Sequence, residues 1–206
     1  TNVDAIKTGM LPTVEIIETA AEAIDRSGLE KVVIDPVLVC KGEDQALFPE
    51  NVEAMVKLLL PRALVVTPNL FEAGQLSGLG TLTTIDDMKR AAVKIHEAGA
   101  KNVVIKGGKQ LQHDKAVDLF FDGSTYTLLE SEKTATTYNH GAGCTFAAAV
   151  TANLANGLAV NESVLEAKKF VSAAIANGWK LNQYVGPVMH GAKNRFGAPE
   201  VTTSEV

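Results

Sequence analysis

A chain of 206 residues, 46% hydrophobic and 21% charged, carries enough apolar material for one soluble globular domain spanning residues 1–206. Its 24 acidic and 19 basic side chains leave a net charge of −5, which argues against a nucleic-acid surface, where Lys and Arg would cluster. No apolar run approaches the roughly 20 residues needed to span a bilayer, and Thr1-Asn2-Val3-Asp4 lacks the basic and then apolar regions of a signal peptide. Two distant cysteines make neither a disulfide framework nor a zinc site, so the expected compartment is the cytoplasm. The chain has no initiating Met and opens on a strand pattern, so its beginning is expected to be missing.

Residues 3–10 read as a strand ending in a glycine turn. Thr13 can cap the next helix, with Ile16, Ile17, Ala20, Ala21 and Ile24 on one face and Gly28 closing it. Residues 31–36 read as a short strand whose apolar run is of the fully buried kind, stopped by Pro36. Asp35 stands at the strand's carboxyl end, where ligands gather in open α/β sheets, although a turn or capping aspartate is an equal reading. Residues 37–45 turn from apolar to polar and suit a loop folding over a site, with Cys40 near its hinge.

Residues 51–60 are helical by period, and Pro61 should end that helix. Residues 63–67 are another buried strand, turned directly into a helix by Pro68-Asn69. Asn69 and Glu72, three apart, fit a capping box; alternatively the carboxylate faces a metal-bound phosphate. Thr84 caps a helix over 85–98 with Met88, Ala91, Ala92 and Ile95 inside. Residues 102–110 are strand then glycine turn, placing Lys106 at a strand end; no G-x-x-x-x-G-K-[ST] loop occurs anywhere. Residues 117–121 and 125–129 suit a hairpin closed by Asp122-Gly123. Asn161 opens a helix over 162–177 carrying Lys168 and Lys169, and the tail from Gly186 shows no period, as in loop or extended edge.

The stretch Asn139-His140-Gly141-Ala142-Gly143-Cys144-Thr145 precedes a small, apolar run that reads as a buried helix. Two glycines let successive N–H groups converge on one spot, and the helix N-terminus adds its own unpaired amides there. That cradle suits a phosphoryl group in transit, and a helix N-terminus favours the thiolate of a cysteine placed like Cys144. The competing reading is an ordinary turn before a buried, inert cysteine. Strands alternating with helices imply a mainly parallel sheet covered on both faces.

In order, Asp35-Pro36-Val37, Thr67-Pro68-Asn69 with Glu72-Ala73, Ile105-Lys106-Gly107-Gly108 and His140-Gly141-Ala142-Gly143-Cys144-Thr145 resemble the ribokinase-like superfamily, in its branch of hydroxymethylpyrimidine and pyridoxal kinases. The resemblance implies a three-layer α/β/α fold with a mostly parallel central sheet. Gly141, Ala142 and Gly143 then look like the anion hole, and Cys144 like the base that deprotonates the substrate hydroxyl. Asn69 and Glu72, with Asp35 nearby, resemble the motif organising the triphosphate and its Mg²⁺. Lys106, Gly107, Gly108, Lys109, Gln110, Asp118, Gly143 and Lys168 would border ATP. Val39-Cys40-Lys41-Gly42-Glu43-Asp44 is similar to a lid in pyridoxal kinases of Gram-positive bacteria, whose cysteine holds the aldehyde as a hemithioacetal.

The expectation is therefore phosphorylation of pyridoxal or a related hydroxymethyl heterocycle by a chain that pairs as a homodimer. The alternatives are a pyrimidine kinase of thiamin synthesis with Cys40 a bystander, a non-catalytic nucleotide-binding fragment, or a redox sensor using Cys40 and Cys144. The family's N-terminal glycine-rich turn and first strands do not occur in these residues, so the resemblance implies that roughly a quarter of the domain precedes Thr1.

Overall fold

Burial alternates along the strands and sorts their side chains into two cores. Val32 and Ile34 face one core and Val33 the other; Val103 and Ile105 part from Val104 in the same way, as do Leu119 and Phe121 from Phe120. The computed structural model describes residues 2–38, 49–183 and 185–206. Its one sheet has seven strands in chain order. Strands β1 (Ile6–Thr8), β2 (Val32–Ile34), β3 (Val65–Val66) and β4 (Val103–Lys106) are parallel. Strands β5 (Ala116–Phe121), β6 (Tyr126–Ser131) and β7 (Thr202–Glu205) continue as an antiparallel meander. Because β6 runs with β1 to β4, five of the seven strands share one direction.

Helices α1 (Val14–Ser27), α3 (Leu70–Ser77) and α4 (Ile85–Glu97) cover the first face. Helices α5 (Ala142–Ala155) and α6 (Val160–Ala176) cover the second, completing three layers. Thr13 caps α1 and Gly28 closes it in the left-handed region, as its position predicts. The inner stripe of α1 is Ile17, Ala21 and Ile24, while Ile16 is exposed because it lies one residue, about 100°, off that stripe.

Pro61 does not simply end its helix. Helix α2 (Pro49–Ala54) widens into a five-residue π turn, Met55–Leu59, and tightens into a 3₁₀ turn, Leu60–Arg62. Pro61 has no N–H to give, and the Leu60 amide reaches back to the Met55 carbonyl. The hairpin from β5 to β6 forms, but Phe121 pairs with Tyr126, so the connection is Asp122 to Thr125 rather than two residues. The Asp122 carboxylate accepts the Ser124 and Thr125 amides at 2.8 and 2.7 Å, which holds the wider turn. Helix α6 starts at Val160, ahead of Asn161, and the tail holds a short helix, α7 (Ala192–Phe196), before the edge strand β7.

Candidate active site

The carboxyl ends of β2, β3 and β4 meet the N-terminus of α5. Asn69 begins α3 with a capping box: its side chain accepts the Glu72 amide at 2.9 Å, and Glu72 Oε2 accepts the Asn69 amide at 2.7 Å. The capping and ligand readings of Glu72 are compatible, because the carboxylate has more acceptor capacity than one amide uses. Burial pushes the Glu72 carboxyl up to about 7, against the opposing pull of Lys106 and of the Asn69 and Leu38 amides, while Asp35 adds to the rise.

Lys106 ends β4 and is tied to the same turn, its amide donating to the Pro68 carbonyl at 2.9 Å. Its Nζ lies 3.5 Å from Asp35 Oδ1, which also receives the Thr67 hydroxyl at 3.4 Å. Asp35 is buried, and among the described residues its second oxygen, Oδ2, has no hydrogen-bond partner. A buried carboxylate oxygen left in that state calls for a cation or a donor. Lys106 also reaches the glycine turn: a Cβ placed on Gly143 would stand 3.5 Å from its Nζ.

Gly141 caps α5 with φ at 83°, a left-handed conformation that favours glycine, and Ala142, Gly143 and Cys144 form the first turn. Amides at a helix start, with an ammonium beside them, make an anion site. Cys144 is exposed, which sets aside the buried, inert reading. Cys40 and the stretch from Val39 to Asp44, expected to act as a lid, lie outside the described residues.

Residues 1–189 match the family model for phosphomethylpyrimidine kinase. The chain belongs to the phosphomethylpyrimidine kinase family. Within that family it is 58% identical over 190 residues to the pyridoxine kinase of Bacillus subtilis (strain 168), covering 92% of this chain and 70% of that protein. The structure of the pyridoxal kinase from Staphylococcus aureus in complex with AMP-PCP and pyridoxal superposes with a TM-score of 0.93 at 56% identity, over 98% of this chain and 73% of that one. The hydroxymethylpyrimidine/phosphomethylpyrimidine kinase of Bacillus subtilis (strain 168) is more distant, at 40% over 192 residues. These structural neighbours carry the ribokinase-like fold, as the ordered motifs imply.

The other residues expected around a nucleotide in this phosphomethylpyrimidine kinase family member fall into two groups. Gly108, Lys109 and Gln110 are exposed on the turn after β4, with Gly108 at φ 58°. Lys109 donates to the Thr136 carbonyl at 2.7 Å and so ties that turn to the segment before the glycine turn. Asp118 and Lys168 are buried and turned to one another at 2.9 Å. Asp118 Oδ1 accepts the Gly107 amide at 3.1 Å, and Lys168 also donates to the Ala116 carbonyl at 3.1 Å. They reach the site through Gly107, where a Cβ would come within 2.3 Å of the Val117 carbonyl oxygen.

Beside the Asp118–Lys168 pairing, two more features were not legible in the sequence. A cavity of about 600 Å³ runs along α5, bordered by Lys7, Cys144, Thr145, Glu166, His190 and Lys193. Among the described residues Cys144 borders it, whereas Asp35, Glu72, Lys106 and Gly143 do not. Thr145 Oγ1 is 3.1 Å from His190 Nε2, a pairing across 45 residues into a tail without period.

Proposed function

We propose that this chain is an ATP-dependent kinase that phosphorylates the 5′-hydroxymethyl group of pyridoxal, giving pyridoxal phosphate. The observation that carries the reading is the convergence of Lys106, flanked by Asp35 and Glu72, on the glycine turn whose helix bears Cys144. Identity is also higher to the pyridoxine and pyridoxal kinases than to the pyrimidine kinase, which supports the vitamin B6 substrate over the thiamin one.

In this reading the amides of Ala142, Gly143 and Cys144 receive the γ-phosphoryl group, and Lys106 faces the same charge. The Cys144 thiolate accepts the proton of the substrate hydroxyl. The alkoxide oxygen forms its bond to the γ-phosphorus in line as the bond to the β-phosphate oxygen breaks, releasing ADP. Asn69, Lys106, Gly107, Gly108, Lys109, Gln110 and Gly143 border the nucleotide, with Asp118 and Lys168 holding Gly107 in place. Asp35 and Glu72 would hold Mg²⁺: the unpartnered Asp35 oxygen fits a cation, and two carboxylates completed by phosphate and water suit this ion. Held there, the ion would supply neutralisation of charge on the triphosphate.

Cys40 adds its thiol to the aldehyde of pyridoxal as a reversible hemithioacetal, which positions the hydroxymethyl group for attack. The enzyme works in the cytoplasm as a homodimer. Among the described residues no helix is long and apolar enough to cross a membrane.

Side-by-side kinetics with pyridoxal, pyridoxine and hydroxymethylpyrimidine test the reading. Pyridoxal is expected to be phosphorylated with ATP, and Cys40→Ala to lower its kcat/KM about tenfold more than that of pyridoxine, which has no aldehyde to hold. Equal losses on both would remove the hemithioacetal. Turnover of hydroxymethylpyrimidine alone would reverse the substrate assignment.

A further inference from the structure

Residues 186–190 cross the glycine turn as a strap. Before the turn, the His140 amide donates to the Gly186 carbonyl at 3.0 Å, and the His140 carbonyl accepts the Val188 amide at 3.2 Å. Tyr138 fills a notch there: a Cβ on Gly186 would come within 2.2 Å of its ring, and one on Gly178 within 2.3 Å of its carbonyl oxygen. The strap is fixed to α6 by the Met189 amide, which donates to the Ala174 carbonyl at 2.9 Å. After the turn, one side-chain pair makes the attachment, His190 Nε2 to Thr145 Oγ1 at 3.1 Å.

The two attachments differ in kind. The first is made by backbone and by glycines that leave room; the second depends on two particular side chains. Thr145 follows Cys144 directly, and its amide closes the first helical bond to the Gly141 carbonyl at 2.9 Å. A shift of Thr145 is therefore a shift of Cys144 and of the amides around it. A hydroxyl can both give and accept, so the bond to an imidazole nitrogen forms with either neutral tautomer and with the imidazolium.

We propose that His190 is a positioning residue for phosphoryl transfer: through the Thr145 hydroxyl it sets the first turn of α5 and with it the direction of Cys144. This inference rests on the reading of Cys144 as the base. His190 acts by geometry and exchanges no proton with substrate.

The test compares His190→Ala, His190→Gln and Thr145→Val in the full chain. Two quantities are measured: turnover of pyridoxal with ATP, and the rate at which iodoacetamide alkylates Cys144 at fixed pH, followed peptide by peptide. His190→Ala is expected to lower kcat about 3- to 10-fold, the worth of one net hydrogen bond in the transition state, with KM for ATP unchanged and Cys144 alkylation slowed. Glutamine, whose amide reaches the Nε2 position, should restore most of the rate. Thr145→Val should reproduce the loss, and the double variant His190→Ala/Thr145→Val should lose no more than either single one. An unchanged kcat in His190→Ala, equal losses in the alanine and glutamine variants, or alkylation that is unchanged or faster overturns the proposal while leaving Cys144 as the base. Full turnover by Cys144→Ala would overturn the reading beneath it.

Discussion

Two lysine–aspartate pairs each take one member from the β4–β5 unit, Lys106 and Asp118, and are built to opposite standards. Lys168 and Asp118 meet at 2.9 Å, and each has a second partner, the Ala116 carbonyl for the ammonium and the Gly107 amide for the carboxylate. Lys106 and Asp35 stand 3.5 Å apart, and one Asp35 oxygen is buried with no partner among the described residues. Burying a charge costs several kcal/mol unless partners compensate. The first pair is complete and acts as framework, whereas the second is left open at the strand ends, where a ligand can complete it. Nearly equal burial of the two aspartates therefore conceals different roles.

The largest expected effect lies just beyond the open pair. Cys144→Ala should lower kcat on the order of 10²- to 10⁴-fold, the range for removing a positioned base, with folding intact because the side chain is exposed. Steady-state kinetics beside a melting curve checks both halves. The comparison itself breaks if the two lysines behave alike. Lys168→Met should leave Asp118 buried and uncompensated and cost roughly 3–5 kcal/mol of stability, read by denaturant unfolding. Lys106→Met, which removes the longer and looser partner, should cost less stability than Lys168→Met and most of the activity. Equal destabilisation by both would dissolve the distinction.

A smaller, pH-dependent effect sharpens it. Glu72 titrates at about 7 in the folded chain, above its ordinary 4.5. Between those values the folded state holds a proton that the unfolded state has lost, so the stability Glu72 contributes falls as pH rises from about 4.5 to 7, by up to roughly 3 kcal/mol, and then levels. Thermal unfolding without Mg²⁺ should show that slope relative to Glu72→Gln, and Mg²⁺ with nucleotide should flatten it. A parallel slope in Glu72→Gln would place the titration elsewhere.

Much of this arrangement was legible along the chain because it depends on local chemistry. The caps Thr13, Asn69 and Thr84, the apolar strands and Gly141 each declare themselves within a few residues, since backbone angles and orphan amides admit few residue types. Ordered motifs placed Asp35, Asn69, Glu72, Lys106 and Cys144, because strand ends in such a sheet gather on one side. What stayed hidden depends on distance in sequence. The His190–Thr145 pair spans 45 residues and the Asp118–Lys168 pair 50, and no local period reports either partner. The π turn before Pro61 and the four-residue hairpin loop escaped for another reason: one missing N–H and one aspartate side chain outweighed the simplest pattern.

The most direct test of the central claim is a structure of the chain with a non-hydrolysable ATP analogue, measuring where its terminal phosphate sits. That phosphate is expected against the amides of Ala142, Gly143 and Cys144, with Lys106 Nζ on its flank and the Cys144 sulfur at its edge. A terminal phosphate bound away from that thiol would contradict it.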